Sequence, residues 1–254
     1  MSFSLKQKNI LVTRGAEQAD LFADKITQYG GNPVVVPLLE IVCKESNFTW
    51  EVLRNLSQYD WILFTSANGV DCFFELRKKL ENASACISSK IATVGEKTSS
   101  TLKRYGYEET FTPKTYNADS MASDFLKRFP DPGKLLLIRG NRSRKVLPEK
   151  FRQAGLDFDM LEVYDTHFSY KRRPQLIEAV SEKKLDYVSF TSPSTVEAFC
   201  EMVEIIPYNI PCVCIGSTTS KRASELGFQY ILTPNKFTID GMIKSIHDHI
   251  SRKG

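Results

Sequence analysis

This 254-residue chain contains itself twice, and that duplication limits its possible folds more than any single motif does. The first recurring block is Asn9-Ile10-Leu11-Val12-Thr13-Arg14-Gly15, a helical run to Tyr29-Gly30-Gly31, and Pro33-Val34-Val35-Val36-Pro37. It is answered by Leu135-Leu136-Leu137-Ile138-Arg139-Gly140, Phe151-Arg152-Gln153-Ala154-Gly155 and Met160-Leu161-Glu162-Val163-Tyr164. Arg139 stands 125 positions after Arg14, as Gln153 does after Gln28 and Gly155 after Gly30. The second block, Asp60-Trp61-Ile62-Leu63-Phe64-Thr65-Ser66 with Asn68-Gly69-Val70, returns 126 positions later as Asp186-Tyr187-Val188-Ser189-Phe190-Thr191-Ser192 with Ser194-Thr195-Val196. It continues through Ile91-Ala92-Thr93-Val94-Gly95, Thr98, Gly106, Pro113 and Asp119. These match Cys212-Val213-Cys214-Ile215-Gly216, Thr219, Gly227, Pro234 and Asp240 at an offset of 121, one loop having shortened.

Each copy alternates short β-rich runs with helical patterns of roughly a dozen residues, the pattern of βαβ units wound into a parallel sheet. Several helical runs end at a glycine in the C′ position, Gly106, Gly155 and Gly227 among them. The expected fold is α/β, with two doubly wound, Rossmann-like parallel-sheet domains of about 120 residues each. The repeats leave the pairing of blocks open. The first block joins either the block that follows it, giving two contiguous domains, or the last one, with the other domain built in between.

Composition excludes several classes. With 42% hydrophobic and 25% charged residues, the chain is not disordered, collagenous or a coiled coil. A net charge of +4, evenly scattered, does not argue for nucleic acid but suits an anionic small ligand. The opening MSFSLKQKNILVTRGAEQ lacks the apolar core of a signal peptide, and no run approaches the roughly 18 apolar residues of a membrane span. Neither a leader nor a membrane association is expected. The six cysteines (Cys43, Cys72, Cys86, Cys200, Cys212, Cys214) fall in helix-like or strand-like surroundings, without the spacing of a disulfide framework. Free thiols in a reducing cytoplasm are expected. Cys212 and Cys214 share one strand face and read as small buried hydrophobes, since no second Cys or His pair completes a zinc site. Of the histidines His167, His247 and His249, the last two lie in an amphipathic C-terminal stretch with its polar ends in solvent. No metal or cofactor is expected.

Ligands of a doubly wound sheet bind beyond the carboxyl ends of its strands. The residues there are Arg14-Gly15, Thr65-Ser66-Ala67-Asn68, Val94-Gly95 with Thr98, Arg139-Gly140-Asn141, Thr191-Ser192-Pro193-Ser194 and Gly216-Ser217-Thr218-Thr219. Most are small, hydroxylated or glycine-containing turns feeding a helix N-terminus, where free N–H groups and the helix dipole favour an anion. None is a Walker A loop or a GxGxxG fingerprint. A Ser or Thr so placed is, taken singly, a helix N-cap. Matching turns in both halves favour a ligand held between two lobes. Arg139, Arg142, Arg144 and Lys145 gather cations where a helix dipole opposes them, so helix stability does not explain them; the alternatives are a solvated charged face and an acidic ligand, which explains the cluster better. In Leu161-Glu162-Val163-Tyr164, strand alternation sets Tyr164 with Glu162 on the face away from Leu161 and Val163, toward solvent or a cleft.

Taken in order and spacing, these pieces resemble uroporphyrinogen-III synthase over nearly the whole chain. They are Leu11-Val12-Thr13-Arg14, Phe64-Thr65-Ser66-Ala67-Asn68-Gly69-Val70, Thr93-Val94-Gly95 with Thr98, and Tyr116-Asn117-Ala118. The second half adds Ile138-Arg139-Gly140, Val163-Tyr164-Asp165-Thr166, Phe190-Thr191-Ser192-Pro193-Ser194 and Ile215-Gly216-Ser217-Thr218-Thr219. The resemblance implies that 1–38 joins 168–254 in one discontinuous domain and that 43–164 forms the other, with 37–42 and 162–166 as a two-stranded connector. It implies a hydro-lyase that closes hydroxymethylbilane, a linear tetrapyrrole with eight carboxylates, to uroporphyrinogen III with loss of water and inversion of ring D. Tyr164 would assist departure of the hydroxyl. Ser66, Thr98, Ser192, Thr218 and Thr219 would hold carboxylates, with Arg14, Asn68, Gly95, Ser194, Gly216 and Ser217 beside them. Arg139 and Arg142 join this set on charge alone, and Lys97 has no assigned role. A monomer is expected, receiving substrate by transient hand-over from hydroxymethylbilane synthase. The alternative is a hinged two-lobe binding or sensor protein for a polycarboxylate.

Overall fold

The computed structural model describes residues 3–80, 86–115, 118–182 and 184–253. Tyr116 and Asn117, quoted in the resemblance, lie outside them. The chain divides into two compact units, Met1–Glu40 with His167–Gly254, and Ile41–Thr166.

The first unit contains β1 (Asn9–Val12), α1 (Ala16–Gln28), β2 (Asn32–Val35), α7 (Arg173–Ser181), β8 (Tyr187–Phe190), α8 (Pro193–Met202), β9 (Cys212–Cys214), α9 (Ser217–Glu225), β10 (Ile231–Leu232) and α10 (Ile239–Lys253). Its sheet runs β10-β9-β8-β1-β2, and every pair is parallel. Both faces are covered, which is why these strands read as unbroken apolar runs. Leu11, Val188 and Phe190 pack toward Leu176, Val196 and Phe199 of α7 and α8, while Ile10 and Val12 meet Phe22, Ile26, Met242 and Ile246 of α1 and α10. Two buried hydroxyls stitch β1 to β8: Thr13 Oγ1 donates to Ser189 O (2.6 Å) and Ser189 Oγ to Leu11 O (2.7 Å).

The second unit contains most of β3 (Leu39–Cys43), then α2 (Asn47–Arg54), β4 (Trp61–Phe64), α3 (Ala67–Arg77), β5 (Lys90–Thr93), α4 (Glu96–Arg104), α5 (Ala118–Arg128), β6 (Leu135–Gly140), α6 (Val146–Gln153) and most of β7 (Phe158–Phe168). The order is β3-β7-β6-β4-β5. β7, β6, β4 and β5 are parallel. β3 runs the other way along β7: Ser169 N–H donates to Leu38 O and Lys44 N–H to Val163 O, both at 2.8 Å. Along β4 the side chains alternate, Trp61 and Leu63 toward Phe125 and Phe151 of α5 and α6, Ile62 and Phe64 toward Val70 and Phe73 of α3. Gly106 and Gly227 follow α4 and α9 with φ of +81° and +95°, a left-handed turn open to glycine at little cost.

Two expectations need correction. Cys43 and Cys72 form a disulfide, their Cα atoms 5.2 Å apart. A separation of 29 residues carries no disulfide signal, because β3 and α3 meet only once the sheet is assembled. The C-terminal histidines are not solvated ends. His247 Nδ1 lies 3.0 Å from Ser4 O with its ring against Phe3, and His249 Nδ1 is hydrogen-bonded to Tyr187 Oη at 2.8 Å. Among the described residues no His/Cys/Asp/Glu group could hold a metal, and no helix is long and apolar enough to cross a membrane.

Candidate active site

In the second unit, β4, β5 and β6 end at one edge of the sheet, and each delivers a small residue there. β4 leads to Thr65 and Ser66, β5 to Val94 and Gly95, and β6 ends at Gly140. Ser66 is the N-cap of α3: its Oγ accepts from Gly69 N–H at 3.1 Å. The same Oγ lies 3.0 Å from Tyr164 Oη, so one hydroxyl joins the first turn of α3 to the phenol on β7.

Tyr164 departs from the alternation its sequence suggests. It is only 8% exposed and packs with Leu161 and Val163 in the core under α3. The register between β6 and β7 shifts after Arg139, placing Gly140 opposite Tyr164. That irregularity turns the phenol inward, and it leaves no trace in a hydropathy pattern. Gly140 and Gly69 wall the ring. A Cβ on Gly69 would meet Tyr164 Cε1 at 3.8 Å, and one on Gly140 would overlap the ring itself. Sequence reasoning places both glycines in strand-end turns but not against Tyr164; a strand ending in glycine beside a strand tyrosine is the pattern that could have suggested the contact.

Arg139, grouped on charge with Arg142, Arg144 and Lys145, does not share their exposure. It belongs to β6, is buried, and donates through Nη2 to Ser143 O at 2.7 Å, with Glu162 Oε1 4.0 Å from Nε. Gly140 N–H donates to Ser143 Oγ (3.0 Å), Asn141 N–H to Tyr164 O (3.1 Å), and Thr166 N–H to Asn141 Oδ1 (3.0 Å). Arg139 therefore shapes the loop behind Tyr164, while Arg142, Arg144 and Lys145 lie exposed. α6 begins only at Val146, with Lys145 as its N-cap.

The other expected residues fall at corresponding strand ends. Gly95 and Gly216 are the N-caps of α4 and α9, extended and without a side-chain cap. Thr98 and Thr219 are buried in the first turns of those helices, whereas Ser217 and Thr218 are exposed. Ser192 caps α8 through a reciprocal box with Thr195, and Ser194, half-buried, follows in the first turn. Asn68 is half-buried in the first turn of α3. Arg14, after β1, is half-buried, and desolvation lowers its pKa from the ordinary arginine value. Phe237, unnoticed in the sequence, sets its ring 3.2 Å from where a Cβ on Gly216 would stand, and is 60% exposed.

Parallel strands ending in glycine- and hydroxyl-bearing turns, several of them opening a helix, define an α/β protein. The chain belongs to the uroporphyrinogen-III synthase HemD family, whose profile matches residues 20–244. That family consists of lyases of porphyrin biosynthesis. The porphyrin biosynthesis protein HemD of Ruminiclostridium josui is 31% identical over 240 residues, 93% of this chain; the chain spans 47% of that protein's length. The uroporphyrinogen-III synthase of Chlorobaculum parvum is 29% identical over 249 residues, covering 94% of this chain and 98% of the relative. The crystal structure of the Helicobacter pylori uroporphyrinogen-III synthetase shares the fold at a TM-score of 0.69 and 16% identity, over 97% of this chain and 99% of that one. These relatives do not favour the hinged binding-protein alternative.

Proposed function

We propose that this chain converts hydroxymethylbilane to uroporphyrinogen III and water, with Tyr164 as the group that assists departure of the hydroxyl. The observation that carries the reading is the Tyr164–Ser66 hydrogen bond at the carboxyl edge of the sheet, with the ring walled by Gly140. The pyrrole nitrogen supplies the electron pair that expels the hydroxymethyl oxygen, leaving an azafulvene, so the protein needs to provide one proton or hydrogen bond at that oxygen. Tyr164 Oη supplies it. Ser66 Oγ, already accepting from Gly69 N–H, has its own hydrogen free to donate to Oη as negative charge grows there. Ring D then attacks through its substituted carbon, an outcome that depends on how the chain is folded on the protein. Loss of a proton ends the sequence.

Carboxylates of the substrate would be taken by the uncapped amides at Gly95 and Gly216 with Thr98, Ser217, Thr218 and Thr219. Ser192, Ser194, Asn68, Arg14 and Arg142 would add contacts, and Arg139 would act by shaping the 140–145 loop. We read the two units as repeats of one doubly wound lobe joined by β3 and β7. The order β9-β8-β1-β2 of one sheet and β5-β4-β6-β7 of the other supports this, since these are the strands that the sequence offsets pair. A cytoplasmic monomer receiving substrate from hydroxymethylbilane synthase completes the proposal.

The test is isomer analysis after incubating the purified chain with hydroxymethylbilane. The III isomer is expected. Isomer I alone, the product of unassisted closure, at substantial protein concentration would sink the assignment.

A further inference from the structure

Two links tie the β3/β7 strand pair to helix α3. One is the hydrogen bond from Tyr164 on β7 to Ser66, the N-cap of α3. The other is covalent: Cys43, the last residue of β3, is bonded to Cys72 in the second turn of α3. The anchor points lie close together on both sides. Lys44, next to Cys43, donates its N–H to the carbonyl of Val163, the residue before Tyr164, at 2.8 Å. Cys72 follows Ser66 on α3 by six positions. The disulfide and the Ser66–Tyr164 hydrogen bond thus close one circuit through β7, β3 and α3, and each limits the freedom of the other.

The other ties of β3 at this end are polar and part-exposed: Lys44 Nζ lies 3.4 Å from Glu162 and 3.6 Å from Asp165, both on β7. β3 is an edge strand of five residues whose Ile41 and Val42 are 40% and 48% exposed. Cys72 lies in the core at 3% exposure and Cys43 is half-buried, so an attacking thiol enters from the Cys43 side. The buried thiols are poor competitors for exchange. Burial pushes Cys200 up to about 11, and its neighbour Cys214 together with burial raises Cys212 well above the usual thiol range. Cys86 is exposed, outside any helix or strand.

We propose that Cys43–Cys72 is a thiol–disulfide exchange site whose oxidation state sets the alignment of Tyr164 with Ser66, and with it the turnover of the site. A dithiol reductant is the chemical partner. Its thiolate breaks the S–S bond and forms a mixed disulfide, and its second thiol displaces the remaining protein sulfur. Two electrons and two protons pass to the protein, giving two thiols, and the reductant becomes a cyclic disulfide. With the bridge open, the end of β3 stays on β7 through Lys44, but the Val163–Tyr164 segment loses its covalent tie to α3. The activity arm rests on the role given to Tyr164 above.

The experiment compares the full chain as oxidised, after dithiothreitol, and as C43S/C72S. Alkylation and peptide mass mapping should leave Cys43 and Cys72 unlabelled in the oxidised protein and labelled after reduction. Amide exchange over 158–166 should rise roughly tenfold on reduction. kcat should fall about threefold to tenfold with KM nearly unchanged, and recover on reoxidation. Tyr164→Phe should keep its residual turnover regardless of redox state, which a merely stabilising bridge would not produce. If C43S/C72S fails to fold, reduction of the native chain carries the test. Thiols at 43 and 72 that resist oxidation, unchanged exchange over 158–166, or an equal loss of kcat in Tyr164→Phe would each overturn the proposal. The exchange measurement needs no substrate, so it decides this proposal even where isomer analysis rejects the synthase reading.

Discussion

Tyr164 occupies the space that a side chain at position 140 would need: a Cβ on Gly140 would stand 2.8 Å from Tyr164 Oη, with ring carbons nearer still. Glycine is required there for close approach rather than for backbone freedom, and its absent side chain lets the phenol reach Ser66.

Gly140→Ala should therefore act on Tyr164. Overpacking of this kind costs about 1–3 kcal/mol, measurable by urea unfolding. Displacing Oη from its position should also lower kcat by at least roughly tenfold. Full turnover in a folded Gly140→Ala protein would remove Gly140 from the positioning of Tyr164.

Tyr164→Phe keeps the ring in its slot and removes one hydroxyl. The turnover number should drop by about two orders of magnitude, a typical loss for a general acid, while KM and the isomer produced stay the same. Unchanged kcat would leave the fold intact and end the proton-donor role.

Ser66→Ala removes both the α3 cap and the partner of Tyr164. About 1 kcal/mol of stability should be lost from the cap. In the double variant with Tyr164→Phe, the kcat effects should be less than additive, because both act through one hydrogen bond. Full additivity would separate Ser66 from Tyr164.

Phe237→Ala tests the flank of the α9 turn. The ring is 60% exposed, so the melting temperature should barely move. If the ring covers bound substrate beside Gly216, KM should rise several-fold, by about 1 kcal/mol of lost contact. An unchanged KM would place Phe237 outside the binding surface.

Asp159 governs part of the acid limb of stability. Its carboxylate accepts from Tyr59 Oη at 2.7 Å and pairs with Lys134 Nζ at 3.1 Å, and the Tyr59 bond is the chief reason its pKa lies below the ordinary 3.8. A depressed value in the folded state means that this contribution is complete above the unfolded value and lost as pH falls through the lower folded one. Asp159→Asn should flatten the pH dependence of unfolding free energy below about pH 4. A slope identical to that of the parent would sink the assignment.

Much of this molecule was legible in one dimension. Apolar runs buried on both faces announced the parallel strands, and Ser66 and Ser192 sit where a cap must precede a helix. Gly106 and Gly227 close α4 and α9 because a left-handed turn suits glycine. These features depend on residues within a turn or a strand of one another, so spacing along the chain carries them. The inward turn of Tyr164 was not legible, because it follows from a shifted register against Gly140. Nor was the internal use of Arg139, whose partner Ser143 is defined by the loop's own path. The union of Cys43 with Cys72 and the seating of β1 between β2 and β8 likewise wait for the sheets to form. Sequence alone determined the elements and the turns that open their helices. Tertiary structure decided which block joins which sheet and which hydroxyl touches which, since those contacts join residues whose separation along the chain says nothing about their distance in space.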